Sequence, residues 1–147
     1  MRPTPKGWPR LTSAVFYDDA SAAIDWLCRA FGFEVRLKIE GEGGVIEHSE
    51  LTFGTDGLVM VGSAAKKREG RVDFTRSPRA VGGFNTQSLM IYVDDVDALC
   101  ERAKAAGGKI TFAPQTFDYG DEYWSDRSGQ VQDPEGHMWW IVQRLKG

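Results

Sequence analysis

The chain repeats its own plan. The stretches "AVFYDDASAAIDWLCRAFGF", from Ala14, and "MIYVDDVDALCERAKAAGGK", from Met90, each read as an apolar strand, an acidic pair, a helix and a glycine. Setting Asp18-Asp19 on Asp94-Asp95 also sets Gly32 on Gly108. Ala20, Ala23, Ile24, Leu27 and Phe31 form one helical stripe, and Val96, Leu99, Cys100 and Ala103 form the other. Each acidic pair stands where a carboxylate accepts the unpaired N–H groups of a helix start, so the pairs read as structural. Gly32 and Gly107-Gly108 read as helix stops.

After each helix come three strand candidates, bounded by turn sequences such as "GEGG" and "GTDG". They cover 34–40, 46–53 and 58–62 in the first half, and 109–117, 123–131 and 138–144 in the second. The expected fold is therefore α+β, built from two tandem βαβββ modules. The expected division is a tail at 1–10, a first module at 11–62, a loop at 63–84 and a second module at 85–147. The loop contains "KKREGRVDFTRSPR", with six basic residues against two acidic ones. It reads as a solvated linker, or as a flap that meets an anionic ligand.

A chain of 147 residues with 41% hydrophobic content suits one compact unit. Its net charge of −3 argues against a general nucleic-acid partner. No segment is apolar for long enough to cross a membrane, and "MRPTPKGWPR" lacks the apolar core of a secretory signal. The expected location is the cytoplasm. There Cys28 and Cys100, which lie on the two helices, read as free thiols, with a disulfide left as the alternative.

Two βαβββ units, the "DDA" and "DDV" helix starts and the late "DPEGHMWW" together resemble the vicinal-oxygen-chelate superfamily. That group comprises glyoxalase I, extradiol dioxygenases, fosfomycin-resistance enzymes and bleomycin-resistance proteins. The resemblance spans about residues 11–143 and lies nearest the glyoxalase/bleomycin-resistance group. It implies an incurled mixed sheet around a cleft, and a homodimer whose clefts draw on both subunits. It also implies metal ligands on the first and last strand of each unit. Those positions here are Thr12, Met60, Ser88 and Trp140, with Ala14 and Gln87 as near neighbours. A divalent site needs imidazole or carboxylate, so the expectation is that neither a metal nor another cofactor is bound.

Alternation from the "DPEG" turn sends Met138, Trp140 and Val142 to the cleft and Trp139 and Ile141 to the helices. Pro134 and Gly136 supply the turn's backbone angles. A rigid indole facing a cleft is a stacking surface for a flat ligand. The expected ligand-binding residues are Phe16, Met60, Met90, Tyr92, Phe117, Tyr119, Trp124, Arg127 and Trp140, with Leu58 beside them. Arg127 is included because at the cleft mouth its donors can hold an anionic or carbonyl group, though an ion pair within the sheet reads equally well.

Two histidines complete the list of candidates. His48 and Glu50 share one strand face and could act as an acid/base pair or as half a metal site, the weak catalytic candidates. They could also form a simple surface hydrogen bond. His137 reads as a brace for the turn. No Ser/His/Asp triad, P-loop or dinucleotide fingerprint is present. The expected function is metal-free binding of a hydrophobic or aromatic small molecule, as in drug-sequestering antibiotic-resistance proteins. The alternatives are a metal-independent lyase or isomerase using His48 and Glu50, a metal-dependent enzyme, and a dimer whose cleft is self-filled.

Overall fold

The structure is a computed structural model that describes residues 1–66, 70 and 73–147. The first unit runs β1 (Ser13–Tyr17), α1 (Ala20–Phe31), β2 (Glu34–Glu40), β3 (Ile46–Phe53) and β4 (Gly57–Ser63). The second runs β5 (Leu89–Tyr92), α2 (Val96–Ala105), β6 (Lys109–Asp118), β7 (Ser125–Gln132) and β8 (Met138–Lys146). Each unit makes one four-stranded sheet, in the orders β1-β4-β3-β2 and β5-β8-β7-β6. In both, the first and last strands pair in parallel and the other pairs are antiparallel. This is the α+β, twice-βαβββ architecture expected from the repeat.

The helix starts show why the acidic pairs recur. Asp19 accepts from Ala22 N at 3.0 Å and Asp95 from Ala98 N at 2.9 Å, caps that each contribute about 1 kcal/mol. Gly32 ends α1 at φ 88°, a left-handed angle that costs glycine nothing. Both helices pack on one side of the sheets. A single core joins Ile24, Leu27 and Phe31 of α1 with Val96, Cys100 and Ala103 of α2, and with Val131, Trp139 and Ile141 beneath them. At Gly129 of β7 an added Cβ would sit 3.0 Å from Cys100 Sγ, so glycine lets α2 settle on the sheet.

Both cysteines are free, and burial pushes the Cys100 thiol up to about 11, far from a reactive thiolate. No helix among the described residues is long and apolar enough to cross a membrane. Between β4 and β5 lies the basic segment, carrying a short 3-10 turn at Pro78–Val81. Arg76 pairs with Asp73, and Arg79 with Asp18 and Glu135. Lys67, Arg68, Glu69, Arg71 and Val72 fall outside the described residues.

The N-terminal tail at 1–10 makes specific contacts with β2. Arg36 Nη1 donates to Gly7 O, and the Arg36 guanidinium lies 5.0 Å from the centre of the Trp8 ring. A cation over an indole and a charge-assisted hydrogen bond give the tail a definite seat on the first sheet.

Candidate functional site

The "DPEG" turn closes the molecule around itself. Gly136 takes φ 99°, and Gly136 N donates to Asp133 O at 3.0 Å. Asp133 is buried and takes four donors: Tyr17 OH at 2.7 Å, Trp139 Nε1 at 3.1 Å, Glu135 N at 3.1 Å and His137 N at 3.0 Å. Glu135, also buried, accepts from Asp18 N at 2.7 Å and Asp19 N at 2.9 Å. His137 Nε2 meets Phe16 O at 2.7 Å. The motif therefore ties the last turn of the second unit to the first strand and helix start of the first unit. Its polar atoms are satisfied by structure, which removes it from the chemistry. Burial, with the Asp133 carboxylate beside it, holds the Tyr17 phenol well above its usual range, so it remains a donor.

The face of each sheet away from the helices is open. On the second sheet, Trp140 pairs with Met90 on β5 and Gln130 on β7. Its ring lies 5.9 Å from Phe112, which lies 6.0 Å from Phe117. The run continues to Tyr119 at 6.5 Å and Trp124 at a further 5.7 Å. Five rings thus form one strip from β8 across β6 to the β6–β7 loop. Two register shifts in β6 make this possible, one between Ile110 and Phe112 and one between Phe112 and Gln115. Pro114, which has no N–H for a ladder, falls in the second shift. Phe112 and Phe117 then both face Trp140, where plain alternation would place them on opposite sides.

Beside the strip stand Met90, Tyr92 and Arg144, the first two exposed. Trp139, the adjacent tryptophan, is buried against Phe31 and Phe33 at 5.3 and 5.7 Å. Arg127 lies on the opposite face. It pairs with Asp97 of α2, from Nε to Oδ2 at 2.5 Å and from Nη2 to Oδ1 at 2.6 Å. That doubly bonded ion pair commits the Arg127 fork to the helix side, and the expectation that it holds a ligand at the cleft mouth does not fit this geometry.

The open face of the first sheet is polar at its centre. His48 Nε2 lies 3.0 Å from Glu50 Oε1, and Arg36 Nε donates to Glu50 Oε2 at 2.7 Å. His48 and Arg36 together hold the Glu50 carboxyl below its usual range, the hydrogen bond from His48 acting most strongly. Leu37 and Ile39 pair with Glu50 and His48 and are exposed beside them. Met60 pairs with Ala14 and Glu50, and Phe16 with Gly62, on the same face. Among the described residues, no hydrogen bond or ring contact joins this group to the aromatic strip.

The four positions where the resemblance implies metal ligands hold Thr12, Met60, Ser88 and Trp140. Thr12 Oγ1 is buried without a hydrogen-bond partner among the described residues, but a lone hydroxyl is not a divalent-metal ligand set. Among the described residues no three His, Cys, Asp or Glu side chains gather to hold an ion. This donor set does not fit a divalent metal ion.

Sequence reasoning missed Phe112 and Arg144. Arg144 was legible, because it lies four residues past Trp140 on an alternating strand. Phe112 was not, because the register shifts that turn it carry no strong signal beyond Pro114.

Comparison with known proteins agrees with this architecture. The family model of the Glyoxalase/Bleomycin resistance protein/Dioxygenase superfamily matches residues 11–141. An uncharacterized protein of Mycobacterium bovis is 29% identical over 138 residues, covering 94% of this chain and 85% of that protein. The crystal structure of TioX from Micromonospora sp. ML1 superposes with a TM-score of 0.68 at 29% identity, covering 94% of this chain and all of that one. A family enzyme from Burkholderia phytofirmans PsJN shares the fold, with a TM-score of 0.62 at 18% identity over 91% of this chain and 97% of that one. With two βαβββ units in this order and a match over nearly its whole length, the chain belongs to the glyoxalase/bleomycin resistance protein/dioxygenase superfamily.

Proposed function

We propose that the protein binds a planar aromatic small molecule, without a metal, on the Trp140 face of its second sheet. The observation that carries this reading is the five-ring strip from Trp140 to Trp124 on an open surface. Exposed contiguous apolar area of this kind is uncommon on a monomer and marks a surface that something covers. Flat ligands gain from stacking on rings and from burial of apolar area, at roughly 25 cal/mol per Å².

The partner that completes the cleft is a second copy of the chain. Exposed Leu37, Ile39, Met90 and Tyr92, on the open faces of both sheets, support such pairing. Sedimentation velocity at micromolar concentration is expected to show a dimer, and a monomer throughout that range would remove this part of the reading.

The test of ligand binding is a titration of chelator-treated protein with 2-naphthamide, followed by tryptophan fluorescence. A saturable change unaffected by chelator is expected. No saturable change, or one that needs added Mn²⁺, Ni²⁺, Zn²⁺ or Fe²⁺, would overturn the proposal. The alternative of an acid/base enzyme centred on His48 and Glu50 has weaker support. A carboxylate held low and clasped by Arg36 is a poor proton acceptor at neutral pH.

A further inference from the structure

The aromatic strip ends against a cation. Arg144, on the same face of β8 as Trp140, places its guanidinium carbon 5.2 Å from the centre of the Trp124 ring and 5.7 Å from that of Tyr92. It is held from behind. Asp126, only 7% exposed, accepts from Arg144 Nε at 2.6 Å, and Arg144 Nη2 donates to Tyr92 OH at 3.1 Å. The remaining nitrogen, Nη1, donates to nothing among the described residues. The side chain is nevertheless partly exposed, at 39%.

We infer that Arg144 is a specificity determinant of this face, selecting planar aromatic ligands that carry an acidic group, a carboxylate or an ionised hydroxyl. The inference rests on the reading of the strip as a binding surface and adds the ligand's charge to it. Three features support it. The guanidinium is oriented before any ligand arrives, so little side-chain freedom is lost on binding. It lies between two rings at the end of the strip, so a ligand stacked on Trp124 can bring an acidic substituent to Nη1. Asp126 satisfies only the Nε side of the fork, which leaves donors to meet an anion in the charge-assisted manner typical of arginine. His48, Glu50 and Arg36 belong to the other sheet and make no contact with Arg144.

Calorimetric titration of the full chain with 2-naphthoate and with 2-naphthamide, equal in shape and different in charge, tests the inference. In the natural protein naphthoate is expected to bind about tenfold tighter than naphthamide or more, the scale of one hydrogen bond to a charged group. In Arg144→Gln that preference is expected to disappear, the two probes then binding alike. Asp126→Asn, which keeps Arg144 and removes its counter-charge, is expected to widen the preference and serves if the first variant fails to fold. Equal binding of both probes to the natural protein, or a preference that survives Arg144→Gln, would overturn the role of Arg144 and leave the aromatic surface standing. Binding of neither probe would overturn the aromatic surface and this inference together.

Discussion

Alanine at Asp133 is expected to lower the free energy of unfolding by about 3–5 kcal/mol, read from the shift in a urea midpoint. The substitution strands two buried side-chain donors, Tyr17 OH and Trp139 Nε1, and frees two backbone N–H groups of the turn, those of Glu135 and His137. Each stranded donor alone costs about 1–3 kcal/mol. Because stability of a domain this size is about 5–15 kcal/mol in all, the variant would stand near its folding limit. A loss below about 1 kcal/mol would show that the cluster is not the fastening it resembles.

The same cluster sets an alkaline limit. The Tyr17 phenol is raised in the folded state, so its contribution is full below the unfolded value near 10. As pH climbs from there toward the folded value, the unfolded chain loses that proton first and stability falls. Tyr17→Phe should flatten this part of the pH profile.

The two neighbouring tryptophans should separate cleanly. Trp140→Ala is expected to weaken 2-naphthamide binding about ten- to a hundredfold, by removing the stacking surface at the start of the strip. The fold should survive, because Trp140 is only half-buried and its backbone pairing is kept. Trp139→Ala, by contrast, opens a void beside Phe31 and Phe33 and costs about 3–5 kcal/mol in stability. Calorimetry on Trp140→Ala decides the matter: unchanged affinity in a folded variant would move the ligand away from this face.

The repeat made the fold readable because each signal was local. Helix caps at Asp19 and Asp95, the stop at Gly32 and the period-two pattern of β8 are all decided by residues a few positions apart. The geometry of the candidate site was readable only in part. Trp140 followed from a turn and two steps of alternation, and its ring does face away from the core. Arg127 did not follow, since nothing in "SDRSG" states which sheet face its side chain takes or that Asp97 waits thirty residues upstream. Phe112 depended on register shifts, which arise from how two strands meet and not from either strand alone. Glu135 escaped notice because its partners are backbone N–H groups 116 and 117 residues away in the chain.

That last separation has a consequence for how the protein is made. The start of α1 leaves the ribosome before Glu135, the carboxylate that satisfies Asp18 N and Asp19 N more than a hundred residues later, has been translated. Until Glu135 and Asp133 appear, the first unit has an unfinished helix entrance and an unpaired Tyr17. Long-range closure of this kind delays the cooperative step of folding. The nascent first unit must then wait, partly open, for the closing turn of the second.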